Sequence, residues 1–187
     1  RAPDNTILDG YWQSEKYFKA IENLIRGDFA FKYAIKGKNK ETGCKIKSTN
    51  SVSIHIRRGD YVSNPVALNH HGLCSLDYYK ECIHLLSERI LNPHFFVFSD
   101  DIEWARQNLT PSYPTEYITH NVQRGYEDMR LMSWCRHNII ANSSFSWWAA
   151  WLNRNNDKMV CAPHKWFNNP EKNTIDLIPD SWIRVDL

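Results

Sequence analysis

The longest unbroken apolar run, Trp147 to Leu152, is six residues, whereas about 20 are needed to cross a bilayer, so no transmembrane helix is expected. Charge of one sign is also scarce. Lys and Arg number 23 against 21 Asp and Glu, a formal net charge of +2, which is too weak for the broad basic field of a general nucleic-acid binder. The five cysteines (Cys44, Cys74, Cys82, Cys135, Cys161) show no CxxC or CxxH spacing. Neither a zinc site nor a full disulfide set is therefore indicated, and buried thiols are expected. The opening residues lack the basic and apolar regions of a secretory signal, so a cytoplasmic setting is expected. Asn108-Leu-Thr110 and Asn142-Ser-Ser144 match the glycosylation pattern, which arises often by chance.

What is present has an ordinary globular composition. The 187 residues are 42% hydrophobic and 24% charged, which suits one domain, or one with an extension. Ser14 precedes Phe18, Ile21, Leu24 and Ile25 at helical spacing, with Gly27 after them, predicting a capped helix over 15–26. Gly37 to Gly43 is polar and glycine-bounded, so residues 28–50 read as an exposed, mobile loop. A helical extension or remnant over 1–50 is thus set apart from a domain over 51–187.

From Val52 the pattern is regular. Strands are predicted at Val52 to Arg57, Phe95 to Ser99, Glu116 to Thr119, Asn138 to Ala141 and Met159 to Ala162. Helices are predicted between them at 76–91, 101–109, 126–136 and 144–153. Apolar strands separated by single helices require right-handed crossovers and a sheet covered on both faces, which is a Rossmann-like, doubly wound α/β domain. Ligands of such sheets bind beyond the carboxyl ends of the strands. Functional residues are therefore sought after Arg57, Ser99, Thr119 and Ala141.

Three of these four loops carry notable chemistry. In His55-Ile-Arg-Arg-Gly-Asp-Tyr61 a strand ends in Arg57 and Arg58, followed by a glycine that lets the backbone turn sharply. Planar guanidiniums match phosphate oxygens with paired hydrogen bonds, so this end suits a diphosphate. Arg58-Gly59-Asp60 is also an adhesion tripeptide, but it continues a core strand instead of standing on an exposed loop. In Phe98-Ser-Asp-Asp-Ile-Glu103, Asp100 and Glu103 have capping-box spacing. A carboxylate here can also accept from guanine N–H groups, or the adjacent aspartates can hold a metal; no third ligand is near. In Asn142-Ser-Ser-Phe-Ser-Trp147 a helix start offers free N–H groups to an anion, and Ser143, Ser144 and Ser146 add hydroxyls, unless they only cap. Trp147, Trp148 and Trp151 have helical spacing and read as core. His70-His71 reads as a solvent-facing loop pair, and Asp128 as a first-turn carboxylate favoured by the helix dipole.

Together, His55 to Tyr61, Phe95 to Asp101, Tyr126 to Ser133 and Ile139 to Trp148 resemble the α1,2-fucosyltransferases of glycosyltransferase family 11. Tyr11 to Phe18 is similar to the segment ahead of that family's first motif. The resemblance runs from about residue 9 to the end, with the motifs in order. It implies a GT-B-like fold, of which this chain is the carboxyl-terminal nucleotide-sugar-binding part. It also implies inverting, metal-independent transfer of L-fucose from GDP-β-L-fucose to the 2-hydroxyl of a terminal galactose on a glycan, with no cofactor. By resemblance, Arg57 binds the β-phosphate and Arg58 supports it or the loop. His55 and Asp100 lie near the guanosine, Asp128 supports the nucleotide pocket, and Asn142, Ser143, Ser144 and Ser146 belong to the diphosphate loop. Asp60 is a candidate base, unless it is tied to backbone or arginine. The family's Gly-rich G-x-G-N-Q segment is not in this sequence, so a donor-binding fragment is expected, peripherally membrane-associated at most in its full-length form. The competing readings are another GT-B transferase with a different nucleotide sugar, and a carbohydrate-binding or adhesion module, suggested by 13% aromatic residues.

Overall fold

The computed structural model describes residues 3–7, 9 and 13–186. Tyr11 and Trp12 of the family-like opening segment lie outside them. Ser14 accepts from the backbone N–H of Lys16 and starts two short 3-10 turns, Glu15–Tyr17 and Lys19–Ile21, which lead into α1, Glu22–Asp28. The expected helix over 15–26 is thus broken at Phe18, whose ring leaves the helical path to stack on Trp148 and meet Trp151 edge-on.

The expected exposed loop is corrected. Residues Gly37–Ser48 form a helix, α2, with Asn39, Thr42, Gly43 and Ile46 buried. Its polar composition conceals a narrow face of small residues. A Cβ on Gly43 would lie 2.8 Å from the Trp134 ring, so only glycine lets α2 approach this closely.

The remaining elements are β1 (Asn50–Ile56), α3 (Gly59–Ser63), α4 (Pro65–His71), α5 (Leu76–Ser87), β2 (Pro93–Ser99), α6 (Ile102–Asn108), β3 (Thr115–Tyr117), α7 (Gly125–Trp134), β4 (His137–Ile139), α8 (Ser144–Leu152), β5 (Val160–Pro163) and β6 (Ile183–Val185). The strands form one six-stranded sheet in the order β3-β2-β1-β4-β5-β6, parallel throughout. This is the order of a doubly wound dinucleotide-binding sheet, whose direction of winding reverses between β1 and β4. In register, Ile54 of β1 pairs with Val97 of β2 and Ile139 of β4.

Alternation along the strands feeds two layers. Val52, Ile54, Ile56, Phe95 and Val97 pack against Tyr79, Cys82, Ile83 and Leu86 of α5. Phe96 and Phe98 point the other way, onto Ile46 of α2 and Leu131 and Met132 of α7. A third cluster gathers Trp147, Trp151, Trp166 and Trp182 around Val160 and Ala162. Trp147 is wholly buried and donates from Nε1 to the Leu177 carbonyl at 2.7 Å, so its ring is core and not a sugar-binding platform. Cys82, Cys135 and Cys161 are buried thiols, whereas Cys44 is exposed and Cys74 partly so.

Candidate active site

β1 delivers the His55–Asp60 segment to the carboxyl edge of the sheet beside the β1/β4 reversal, where ligands of this fold bind. Arg57 is clamped by two carboxylates: Nη1 lies 2.8 Å from Asp100 Oδ2 and Nη2 lies 2.6 Å from Asp60 Oδ1. Its guanidinium also sits over the Tyr61 ring. Arg58 turns away, pairing with Asp101 at 3.1 Å and lying 3.8 Å from the centre of the Trp104 ring. The two arginines therefore diverge, and Arg58 supports the loop. With Arg58 and Asp60 both in ion pairs and Gly59 opening α3, the adhesion tripeptide is not displayed.

Two sequence expectations at this loop are corrected. Gly59 is absent from the residues with positive φ; it is glycine because a Cβ there would lie 2.6 Å from Asp100 Oδ2. The cap of α6 is Asp101, which accepts from Trp104 N–H. Asp100 instead accepts from the Arg58 backbone N–H at 2.8 Å while holding Arg57. The adjacent aspartates thus hold different guanidiniums. Among the described residues no three His, Cys, Asp or Glu side chains gather as a metal site.

Arg57 and Phe145 stand between two cavities and line both. The first, about 350 Å³, is walled by His55, Phe98, Ser99, Asp100, Ile118, Thr119, Asn121, Gly125 and Asp128. His55 is 5% exposed, and its Nδ1 has no protein partner. Burial, reinforced by Arg57, pushes its pKa down to about 3, so the ring is neutral at pH 7. Asp128 accepts from Asn121 Nδ2 at 2.7 Å. Burial pushes its carboxyl up to about 6, against the pull of that hydrogen bond. This exceeds what an exposed first-turn carboxylate would show.

The second cavity, about 490 Å³, is bounded by Asp60, Tyr61, His70, His71, Ser143, Ser144, Trp166, Phe167 and Lys172. Ser143 is the N-cap of α8, yet its side chain makes no capping hydrogen bond, so its hydroxyl is not consumed by the helix. Ser144 is exposed beside it. Asn142 and Ser146 are braces. Asn142 is 3% exposed and donates to the carbonyls of His71 and Trp166, which also removes its glycosylation match. Ser146 is fully buried and donates to the Ala141 and Ser143 carbonyls. His70 and His71 are not on a loop but end α4; His71 stacks flat on Tyr61 with ring centres 4.5 Å apart.

Sequence reasoning missed Asn121, Thr119, Phe145 and Tyr61. The loop after β3 carries no charged motif. Phe145 lies inside the Asn142 to Trp147 segment, yet an aromatic ring in a helical start is not distinguishable there from a core residue. A neutral histidine and a half-buried carboxylate line one recess, and an arginine beside a helix amino terminus lines the next, on a parallel sheet. That is the architecture of a Rossmann-like nucleotide-sugar-binding domain of a GT-B glycosyltransferase.

The family model described as "Glycosyl transferase family 11" matches residues 3–186, and the chain belongs to that family. It is 45% identical over 181 residues to an alpha-1,2-colitosyltransferase of Escherichia coli, covering 95% of this chain and 61% of that protein. It is 45% identical to the O-antigen biosynthesis glycosyltransferase WbnK of Escherichia coli over 74% of this chain and 46% of the relative. A galactoside 2-alpha-L-fucosyltransferase, SEC1, of Bos taurus is 31% identical over 78% of this chain and 41% of the relative. The chain thus spans between about two fifths and three fifths of these relatives.

Proposed function

We propose that the chain binds the donor of a 1,2-glycosyl transfer, a guanosine diphosphate carrying a 6-deoxy-L-sugar, fucose or its 3-deoxy counterpart colitose. The single observation that carries this is the placement of Arg57 at the divide between two cavities, with the α8 amino terminus alongside. In this reading the nucleoside fills the first cavity, with Asp128 and Asp100 as acceptors for its N–H or O–H groups. The diphosphate crosses at Arg57, Ser143 and Ser144, and the sugar enters the second cavity.

The chemistry follows from where charge develops. As the glycosidic C–O bond breaks, negative charge grows on the β-phosphate and positive charge on the sugar ring. In this reading Arg57 and the helix N–H groups stabilise the first. The acceptor hydroxyl, that of a galactose-terminated glycan, attacks from the face opposite the departing GDP and inverts the anomeric centre. Asp60 lines the second cavity and is the candidate to take its proton, which requires that its carboxylate first swing from the Arg57 ion pair to the face the acceptor approaches. No metal ion or cofactor is assigned a role in this reading.

The test is a transfer assay on the full-length protein with GDP-L-fucose and GDP-L-colitose as donors and a β-galactoside acceptor. Product NMR should show one α1,2 linkage from at least one donor, lost in Arg57→Ala. Transfer only from a uridine or adenosine diphosphate sugar would sink the proposal.

A further inference from the structure

The hydrogen-bonded side chains behind the first cavity form a chain of their own, and it reaches a residue that touches neither cavity. Asn39, on α2, is 6% exposed and Asn121 is 5% exposed. Their amides pair reciprocally: Asn39 Nδ2 donates to Asn121 Oδ1 at 2.8 Å, and Asn121 Nδ2 donates to Asn39 Oδ1 at 2.9 Å. The second proton of Asn121 Nδ2 goes to Asp128 Oδ1 at 2.7 Å. At the other end, His120 Nε2 lies 2.8 Å from Asn39 Oδ1.

A reciprocal amide pair is satisfied either way round, so the pair alone does not decide which end of Asn121 faces Asp128. Asp128 decides it: an ionised carboxylate only accepts, so Asn121 turns its NH₂ toward it and its oxygen toward Asn39 Nδ2, and Asn39 presents its own oxygen to His120. Burial, then the neighbouring Lys38 and Arg124, holds the His120 pKa below the ordinary value despite Glu41. With its ring proton on Nε2, His120 donates to that oxygen and locks the amide pair in this sense.

The geometry points to Asn39 and His120 as positioning residues that, through Asn121, hold Asp128 as an oriented hydrogen-bond acceptor for the bound nucleoside. This rests on the first cavity being the nucleoside pocket. The groups facing Asp128 are Glu127 beside it on α7, Asn121, and His55, Arg57 and Asp100 across the cavity. Of these, Asn121 is the one that donates to it among the hydrogen bonds found. Reversing or loosening that donor leaves an ionised carboxylate facing an amide oxygen, which favours its protonated form.

The experiment is a titration of the protein with GDP across pH 4.5–8, alongside inorganic pyrophosphate as a probe that reaches Arg57 only. Asn39→Ala and His120→Leu should each weaken GDP binding at pH 7 about tenfold, one lost charge-assisted hydrogen bond. Each should also raise the pH midpoint of GDP binding and leave pyrophosphate affinity unchanged. His120→Gln, which restores an N–H near the Nε2 position, should return the midpoint toward that of the parent protein. A purely structural loss would lower affinity for both probes and leave the midpoint in place. Two further outcomes are decisive. If Asp128→Asn weakens GDP binding but folded Asn39→Ala and His120→Leu keep the parental midpoint, the positioning inference is overturned and the pocket stands. If Asp128→Asn leaves GDP binding untouched, the pocket reading fails and takes the inference with it.

Discussion

Replacing Gly59 with alanine would put a Cβ 2.6 Å from Asp100 Oδ2 and 3.1 Å from its Cγ. Ordinary contact begins near 3.4 Å, so the carboxylate must retreat by roughly 0.8 Å. Asp100 has nowhere neutral to go, because Oδ2 holds Arg57 and Oδ1 accepts from the Arg58 N–H, each at 2.8 Å. Losing one charge-assisted bond costs about 1.5–3 kcal/mol, discounted here because Arg57 is a third exposed. Alanine in the short α3 returns about 0.5–1 kcal/mol. The net is a destabilisation of about 1 kcal/mol, or 2–4 °C in Tm for a domain of this size. The larger effect falls on function, since Arg57 loses half its clamp: GDP affinity should drop about tenfold. Thermal unfolding and calorimetry on Gly59→Ala check this, with Gly27→Ala as control, because nothing lies within 4 Å of a Cβ there. If Gly59→Ala keeps both the Tm and the GDP affinity of the parent, the steric reason given for this glycine is wrong.

Asp128→Asn should stabilise the ligand-free protein at pH 7 while weakening GDP binding. Burial lifts the Asp128 carboxyl from 3.8 to about 6, so its contribution to stability is full below pH 3.8 and lost as pH rises through 6. Relieving this is worth on the order of 1–3 kcal/mol, read as a higher Tm at pH 7 that converges with the parent near pH 4. For the same reason GDP binding should strengthen as pH rises through 6. Trp147→Ala should cost about 3–5 kcal/mol in denaturant unfolding, since it empties a fully buried site and strands the Leu177 carbonyl. Asn153→Ala should cost about 2 kcal/mol, because Asn153 donates to Cys135 O and to Asn138 Oδ1, both at 2.8 Å, in a buried setting.

The alternating strands and helices after residue 50 were legible because the strands carry a strong apolar pattern, and the ends of β1, β2, β3, β4 and β5 all fall within two residues of where that pattern puts them. The short β6 was not, since Ile183–Val185 is too brief for any period to show. α2 was misread because its buried face is made of asparagine, threonine and glycine, residues that signal a loop unless the partner helix is known. At the site, residue types identified the right loops but not the direction of each side chain. Arg57 and Arg58 are told apart in sequence only by the family resemblance, and the Asp101 and Trp104 positions decide that Arg58 turns outward. Asn142 and Ser146 have the polar character of ligand donors, yet the backbone carbonyls around them claim their hydrogens.

The most direct measurement is calorimetric titration of the protein with GDP, ADP and UDP, with and without EDTA, repeated on Arg57→Ala. Binding that prefers GDP, is indifferent to EDTA and is lost in Arg57→Ala is the predicted result. Equal affinity for the three nucleotides, or GDP binding that survives Arg57→Ala, would contradict a guanosine diphosphate site built around that arginine.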